Sequence, residues 1–250
     1  MLRTPVRRLA VRKPISLLST IRSYHSRDHK IAGDEPLESQ ILTKSLEYVP
    51  TYGFNSNCIT RTIRDLNYPD SLQAIISKDG SSPEFKLMLQ WLIEQRKNLE
   101  REIKQPESEF HNIADEYDRV SYLIKKRLEL NEPVIKHLTF GISQLVIPYY
   151  LSQSMEELHN LSDDIAFFAG DGSNDFAWYS KRMGISSIYV SSELYQLTDT
   201  SKDFKNTKKF VDDKVQKLNN LGNAYNSAEQ WGMFNAISLV NLIRSQLVRG

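Results

Sequence analysis

Three observations predict an all-α fold of about ten helices. Apolar residues recur at three- and four-residue spacings in one segment after another. Gly, Pro and capping residues punctuate the chain at helical lengths. Alternating β-branched runs, the mark of a half-buried strand, are few. The chain has 250 residues, 40% of them apolar and 25% charged, which excludes collagen-like, low-complexity and wholly disordered classes. No run of 18 apolar residues is present, so no segment reads as a membrane-spanning helix.

The first 24 residues contain Arg3, Arg7, Arg8, Arg12, Lys13 and Arg22 and no acid. Ser16, Ser19, Thr20 and Ser23 alternate there with Leu9, Val11, Ile15, Leu17, Leu18 and Ile21. An Arg-rich, hydroxyl-rich, acid-free amphipathic start is the pattern of a mitochondrial transit peptide, with cleavage expected after Tyr24. The competing reading is a basic arm for nucleic acid. The formal charge of +1 conceals this asymmetry: residues 25–250 carry 26 basic and 31 acidic groups, a net of −5. Residues 25–37, with Gly33 and Pro36, read as a linker, residues 38–225 as a helical domain and residues 226–250 as a separate C-terminal helix.

The helices follow in order. Ile41, Leu42, Ser45, Leu46 and Val49 form a stripe that stops at Gly53. Ser56 or Asn57 is expected to cap a short helix with Ile59, Ile63 and Leu66 inward. Asp70 or Ser71 starts a third, bearing Leu72, Ile75 and Ile76. Together these make a helix-turn-helix pattern, and "ILTKSLEYVPTYGF" is similar to the opening of TetR-type regulators. The lone cysteine, Cys58, reads as a small buried hydrophobe. Ser82-Pro83 opens a long helix to about Gln105, and Ile113–Leu130 is another, with Tyr117, Val120, Ile124 and Leu128 in register. Pro133 and Pro148 bracket the next. Ser154-x-x-Glu157 reads as a capping box for a helix with Met155, Leu158, Leu161, Ile165 and Phe168 on one stripe, ended by Gly170. Asp175 to about Leu197 and Asp203–Leu221 are two more, the second ended by Gly222. Ser227-x-x-Gln230 caps the last, up to about Val248.

Enzyme signatures are missing from the sequence. It has no phosphate-binding Gly loop and no G-x-S-x-G elbow. Glu156-x-x-His159 has the spacing of half a di-iron site, but a second such pair is lacking, so these read as solvated surface groups and no metal is expected. The helix-turn-helix invites a transcriptional regulator. Its reading helix "DSLQAIIS" carries Asp70 and no cation, whereas phosphate neutralisation needs Lys or Arg. The unit reads as scaffold, with no nucleic-acid partner, no cofactor and no catalytic residue expected.

Two constellations carry information. Asp175, Trp178, Tyr179 and Arg182 share one helix face by their i, i+3, i+4, i+7 spacing, the composition of an interface hot spot. The alternative is a Trp that packs inward beside a plain Asp175–Arg182 surface pair. The second is "QWGMFNAISLVNLI", residues 230–243, which lacks charge. Met233, Ile237, Val240 and Leu247 cluster on one side, broadened by Leu239 and Ile243, while Trp231, Phe234 and Leu242 interrupt the polar arc and Arg244 and Arg249 come at the end. It is too short to span a bilayer. Burial inside the protein and attachment to a membrane surface both fit it.

The segments "LIKKRLELNEPVIKHL", "LHNLSDDIAFFAGDGSNDFAWYSKR" and "VNLIRSQLVRG" closely resemble the Coq-nine family of mitochondrial ubiquinone-biosynthesis proteins, in its fungal form. The resemblance covers most of residues 38–250. It implies a TetR-like all-α fold without DNA binding. It implies an accessory protein, not an enzyme, that binds isoprenoid quinone intermediates or phospholipid and presents them to the di-iron demethoxyubiquinone hydroxylase within the ubiquinone-biosynthesis complex. It also implies peripheral attachment to the matrix side of the mitochondrial inner membrane through the last helix, by Trp231, Met233, Phe234, Ile237, Leu239, Val240, Leu242, Ile243 and Arg244. The partner surface would comprise Asp175, Trp178, Tyr179 and Arg182. Ile165 is a weaker member because its periodicity places it in the core. A homodimer is compatible with all of this.

Overall fold

In the computed structural model, residues 36–172 and 176–224 are described. The leader, nearly all of the linker, Asp175 and the C-terminal helix of 226–250 lie outside the described residues. Within them the fold is all-α, as expected, and ten α-helices are joined by short turns. α1 (Leu37–Ser45), α2 (Val49–Tyr52), α3 (Ser56–Asp65) and α4 (Gln73–Ile76) precede the long α5 (Pro83–Lys104). Then come α6 (Glu116–Glu129), α7 (Ile135–Leu145), α8 (Leu151–Ala169), α9 (Phe176–Gln196) and α10 (Lys205–Ala224).

Local chemistry sets most of these boundaries. Ser82 Oγ accepts from the Phe85 amide at 3.2 Å, and Pro83 occupies the first turn of α5, where its missing N–H is no loss. Gly170 ends α8 in the left-handed region (φ 93°), where only glycine is unstrained. Other boundaries differ from expectation. The cap of α3 is Asn55, whose Oδ1 accepts from the Asn57 amide, one residue before the expected Ser56 or Asn57. Asp115 caps α6 through the Tyr117 and Asp118 amides, so the helix starts at Glu116 and not at Ile113. The Ser154–Glu157 capping box does not form. α8 begins a turn earlier, Ser154 Oγ donates back to the Tyr150 carbonyl, and Glu157 is buried in an ion pair. Gly222 does not end α10, which runs on to Ala224.

The helix-turn-helix segment consists of α3, a 3-10 turn at Asp70–Leu72 and the single turn of α4. Arg64 there is engaged by Asp70 at 3.3 Å. Cys58, on the buried face of α3, is a free thiol.

The apolar side chains gather in two clusters. The first joins α1, α2, α3 and α7 with the N-terminal half of α5, through Ile41, Val49, Phe54, Ile59, Leu87, Met88, Trp91 and Leu138. The second joins the C-terminal half of α5 with α6, α8, α9 and α10, through Leu99, Leu123, Ile124, Ile165, Ile185 and Val211. Burying each such side chain contributes about 1.5–3 kcal/mol. α5 belongs to both clusters, so it is the shared wall of the molecule.

Gly141 lets α7 approach that wall. A Cβ there would lie 2.6 Å from Met88 Sδ and 2.8 Å from Phe54 Cδ2. Gly141→Ala is expected to lose about 1–3 kcal/mol of stability despite alanine's better helix propensity. Urea denaturation checks this; a more stable variant would show that the contact is not tight.

Candidate functional site

A cavity of about 110 Å3 sits where the two clusters meet. α5 supplies Leu92, α7 supplies Ile142 and Leu145, α8 supplies Met155, Leu158 and Leu161, and α9 supplies Tyr189 and Val190. The wall is apolar except for Ser154, Arg127, Glu157 and Glu193. An apolar cavity with a few convergent polar groups is the usual form of a small-molecule site.

Each charged wall group is tied into a network. Arg96 from α5 donates to Glu157 through Nε (2.6 Å) and Nη2 (3.0 Å), and through Nη1 to Asp164 at 3.0 Å. This fork-to-carboxylate geometry compensates charges that are all withdrawn from water. On the other side, Arg127 Nη1 donates to Asn131 Oδ1 at 2.9 Å, and Asn131 Nδ2 donates to Glu193 Oε1 at 2.8 Å. Tyr189 Oη donates to the same Glu193 oxygen at 2.6 Å. Burial pushes the Tyr189 phenol well above its usual value, so it stays a donor.

A second feature lies at the start of α9. Trp178 is half-buried and Tyr179 is 67% exposed, their rings edge-to-face at 4.7 Å. His159 of α8 lies 6.0 Å from the Trp178 ring. A hollow of about 160 Å3 opens beside them between α8 and α9, lined by Met155, His159, Tyr179 and Met183 among others.

Arg182 is not an exposed member of this stripe. It is 3% exposed. Its Nε donates to Asp163 at 2.6 Å and its Nη1 to Asp171 at 2.9 Å, both carboxylates being fully buried. Its guanidinium lies 3.8 Å from the Trp178 ring centre, so it backs the aromatic patch from within. The plain surface pair with Asp175 is therefore not what holds Arg182. Lys181 bridges Asp171 to Glu116 of α6, each at 2.7 Å. Burial alone would lower its pKa, but the hydrogen bonds to Asp171 and Glu116 prevail and raise it.

Ile165 is completely buried in the second apolar cluster and presents no surface. Glu156 and His159 are both exposed, and no group of three or more possible metal ligands occurs among the described residues. Trp231, Met233, Phe234, Ile237, Leu239, Val240, Leu242, Ile243 and Arg244 lie outside the described residues, as does Asp175. No helix among the described residues is long and apolar enough to cross a membrane. The sequence does not locate the cavity or its lining, nor the Arg96 and Arg127 networks.

The model of the COQ9 family matches residues 151–222, which comprise α8, α9 and most of α10. The chain is 33% identical over 229 residues to the mitochondrial ubiquinone biosynthesis protein COQ9 of Saccharomyces cerevisiae, covering 87% of this chain and 86% of the yeast protein. It is 32% identical over 225 residues to the corresponding protein of Schizosaccharomyces pombe, covering 90% and 87% of the two chains. It is 29% identical over 218 residues to the human one, covering 84% and 68%.

Proposed function

Because the chain belongs to the COQ9 family, whose members are named as mitochondrial ubiquinone biosynthesis proteins, we propose that it is a lipid-binding accessory protein of that biosynthesis. In this reading it takes up isoprenoid quinone intermediates and presents them to the di-iron demethoxyubiquinone hydroxylase. The observation that carries the lipid part is the apolar cavity between α5, α7, α8 and α9. Moving apolar surface from water into such a site is favourable by about 25 cal/mol per Å2.

The hydroxylase would dock on the Trp178–Tyr179 patch. A large aromatic pair standing partly free of the core, backed by a fixed arginine, has the composition of a binding hot spot. The segment 226–250 would hold the protein on the matrix side of the inner membrane, with Trp231 and Phe234 in the lipid and Arg244 near phosphates. The α3–α4 unit lends no weight to a DNA-binding reading, because α4 is one turn and Arg64 is already engaged.

Native extraction tests the lipid part. Protein isolated without organic solvent is expected to release an isoprenoid lipid detectable by mass spectrometry. Preparations that retain full helicity yet release none would sink the reading.

A further inference from the structure

The cavity and the hollow beside the aromatic patch share a wall. Met155 and Leu158 of α8 line both. With Leu151, which lines the cavity, they stand at i, i+4 and i+7 and so share one face of α8. The opposite side belongs to α9. There Val190 lines the cavity, while Ser186, Met183 and Tyr179 line the hollow. Counted from Tyr179 these four fall at i, i+4, i+7 and i+11, again a single helix face. From Tyr179 to Val190 the helix rises about 16 Å at 1.5 Å per residue.

The lining of this stretch suits a hydrocarbon chain better than a polar guest. Met155, Leu158, Met183 and Val190 are all half-buried, so each keeps apolar surface for a guest to cover. Arg182 is the one formally charged residue lining the hollow among the described residues, and its guanidinium is held by Asp163 and Asp171. Each helix also contributes a methionine, whose unbranched and flexible thioether moulds itself to a guest of irregular outline. A methyl-branched isoprenoid chain has that outline.

We propose that the cavity and the hollow form one apolar track along α8 and α9, and that the isoprenoid chain of the bound lipid lies in it, crossing from one to the other over Met155 and Leu158. The inference rests on the lipid-binding reading above and assigns the path of the chain. The track ends at Tyr179. A partner seated on the Trp178–Tyr179 patch therefore meets the lipid at the edge of its own interface, and the chain can pass to it without crossing water.

The test titrates ubiquinones with one, two and four isoprene units against the 250-residue chain by native mass spectrometry. The four-unit compound is expected to bind about ten-fold or more tighter than the one-unit compound, because the added units bury apolar surface in the hollow. Met183→Glu places a charge in the hollow and leaves the cavity lining intact. It should cut that gain to less than about three-fold while moving the one-unit affinity less than about two-fold. His159→Glu, an exposed change on the α8 side of the hollow, should act in the same direction, and it decides the matter if Met183→Glu does not fold. Folded variants that retain the full gain would overturn the track and leave lipid binding standing. Equal wild-type affinity for all three lengths would also overturn it, and would leave the hollow to a segment of the partner protein. Binding of none of the three would remove the lipid-binding reading itself, and the track with it.

Discussion

Arg182→Met should lose about 3–5 kcal/mol of folding stability, the usual consequence of leaving a buried ion pair with one partner. Asp163 and Asp171 are fully buried and both receive hydrogen bonds from this guanidinium. Asp171 retains Lys181, which limits the loss at that carboxylate. The Met side chain replaces the packing against Trp178 but none of the charge compensation. Acidification should narrow the deficit. Without the guanidinium, burial disfavours the charged carboxylate and raises its folded pKa above the unfolded value, so proton uptake favours the folded variant as pH falls. Arg182→Lys should recover part of the stability, because the cation returns without the two-pronged geometry. Chemical denaturation at two pH values checks all three statements. A cost below about 1 kcal/mol for Arg182→Met would mean that the buried carboxylates find their compensation without this guanidinium.

The second large effect concerns association. Tyr179→Lys is expected to weaken binding to the hydroxylase by at least about 30-fold, the scale of a hot-spot loss of 2 kcal/mol. Tyr179 is 67% exposed, so its removal should leave the melting temperature nearly unchanged. Trp178→Lys should weaken association as strongly, but it would set a second cation against Arg182, which now lies 3.8 Å from the indole ring centre. Some loss of stability is expected from that variant. Pull-down with the purified hydroxylase, paired with thermal melts, separates the two contributions. Wild-type binding by a folded Tyr179→Lys protein would remove the patch from the interface.

The helices were legible because their signals are local. Ser82-Pro83 and Gly170 act within a turn of themselves, and the structure uses both as read. The stripe Val120, Ile124, Leu128 is likewise a property of one helix. The errors arise where a distant partner outbids a local one. Glu157 fits a capping box three residues from Ser154, but Arg96 lies across the helix interface and takes both its oxygens. Arg182 completes an i+7 face with Trp178 and Tyr179, yet Asp163 and Asp171 draw it inward. Spacing along one helix cannot register either event.

The cavity was harder to foresee because its wall comes from five helices, none of which encloses space alone. One trace of it existed. Arg127 follows Val120 and Ile124 at i+7 and i+3, so a charged residue occupies the apolar stripe of α6. Such a residue must find compensation in the interior. Asn131, one turn further on, was the place to look.

The position of the cavity between two apolar clusters, and not within either, bears on how the molecule comes apart. A guest there touches Leu92, Ile142 and Leu145 from one cluster and Leu158, Leu161 and Val190 from the other. Without a guest, the clusters are coupled mainly through α5 and by directional links such as Trp91–Asn131 and Asn131–Glu193. Binding free energy would then serve as cohesion between the halves. Ligand saturation should raise amide protection on both sides together and sharpen unfolding toward a single cooperative transition.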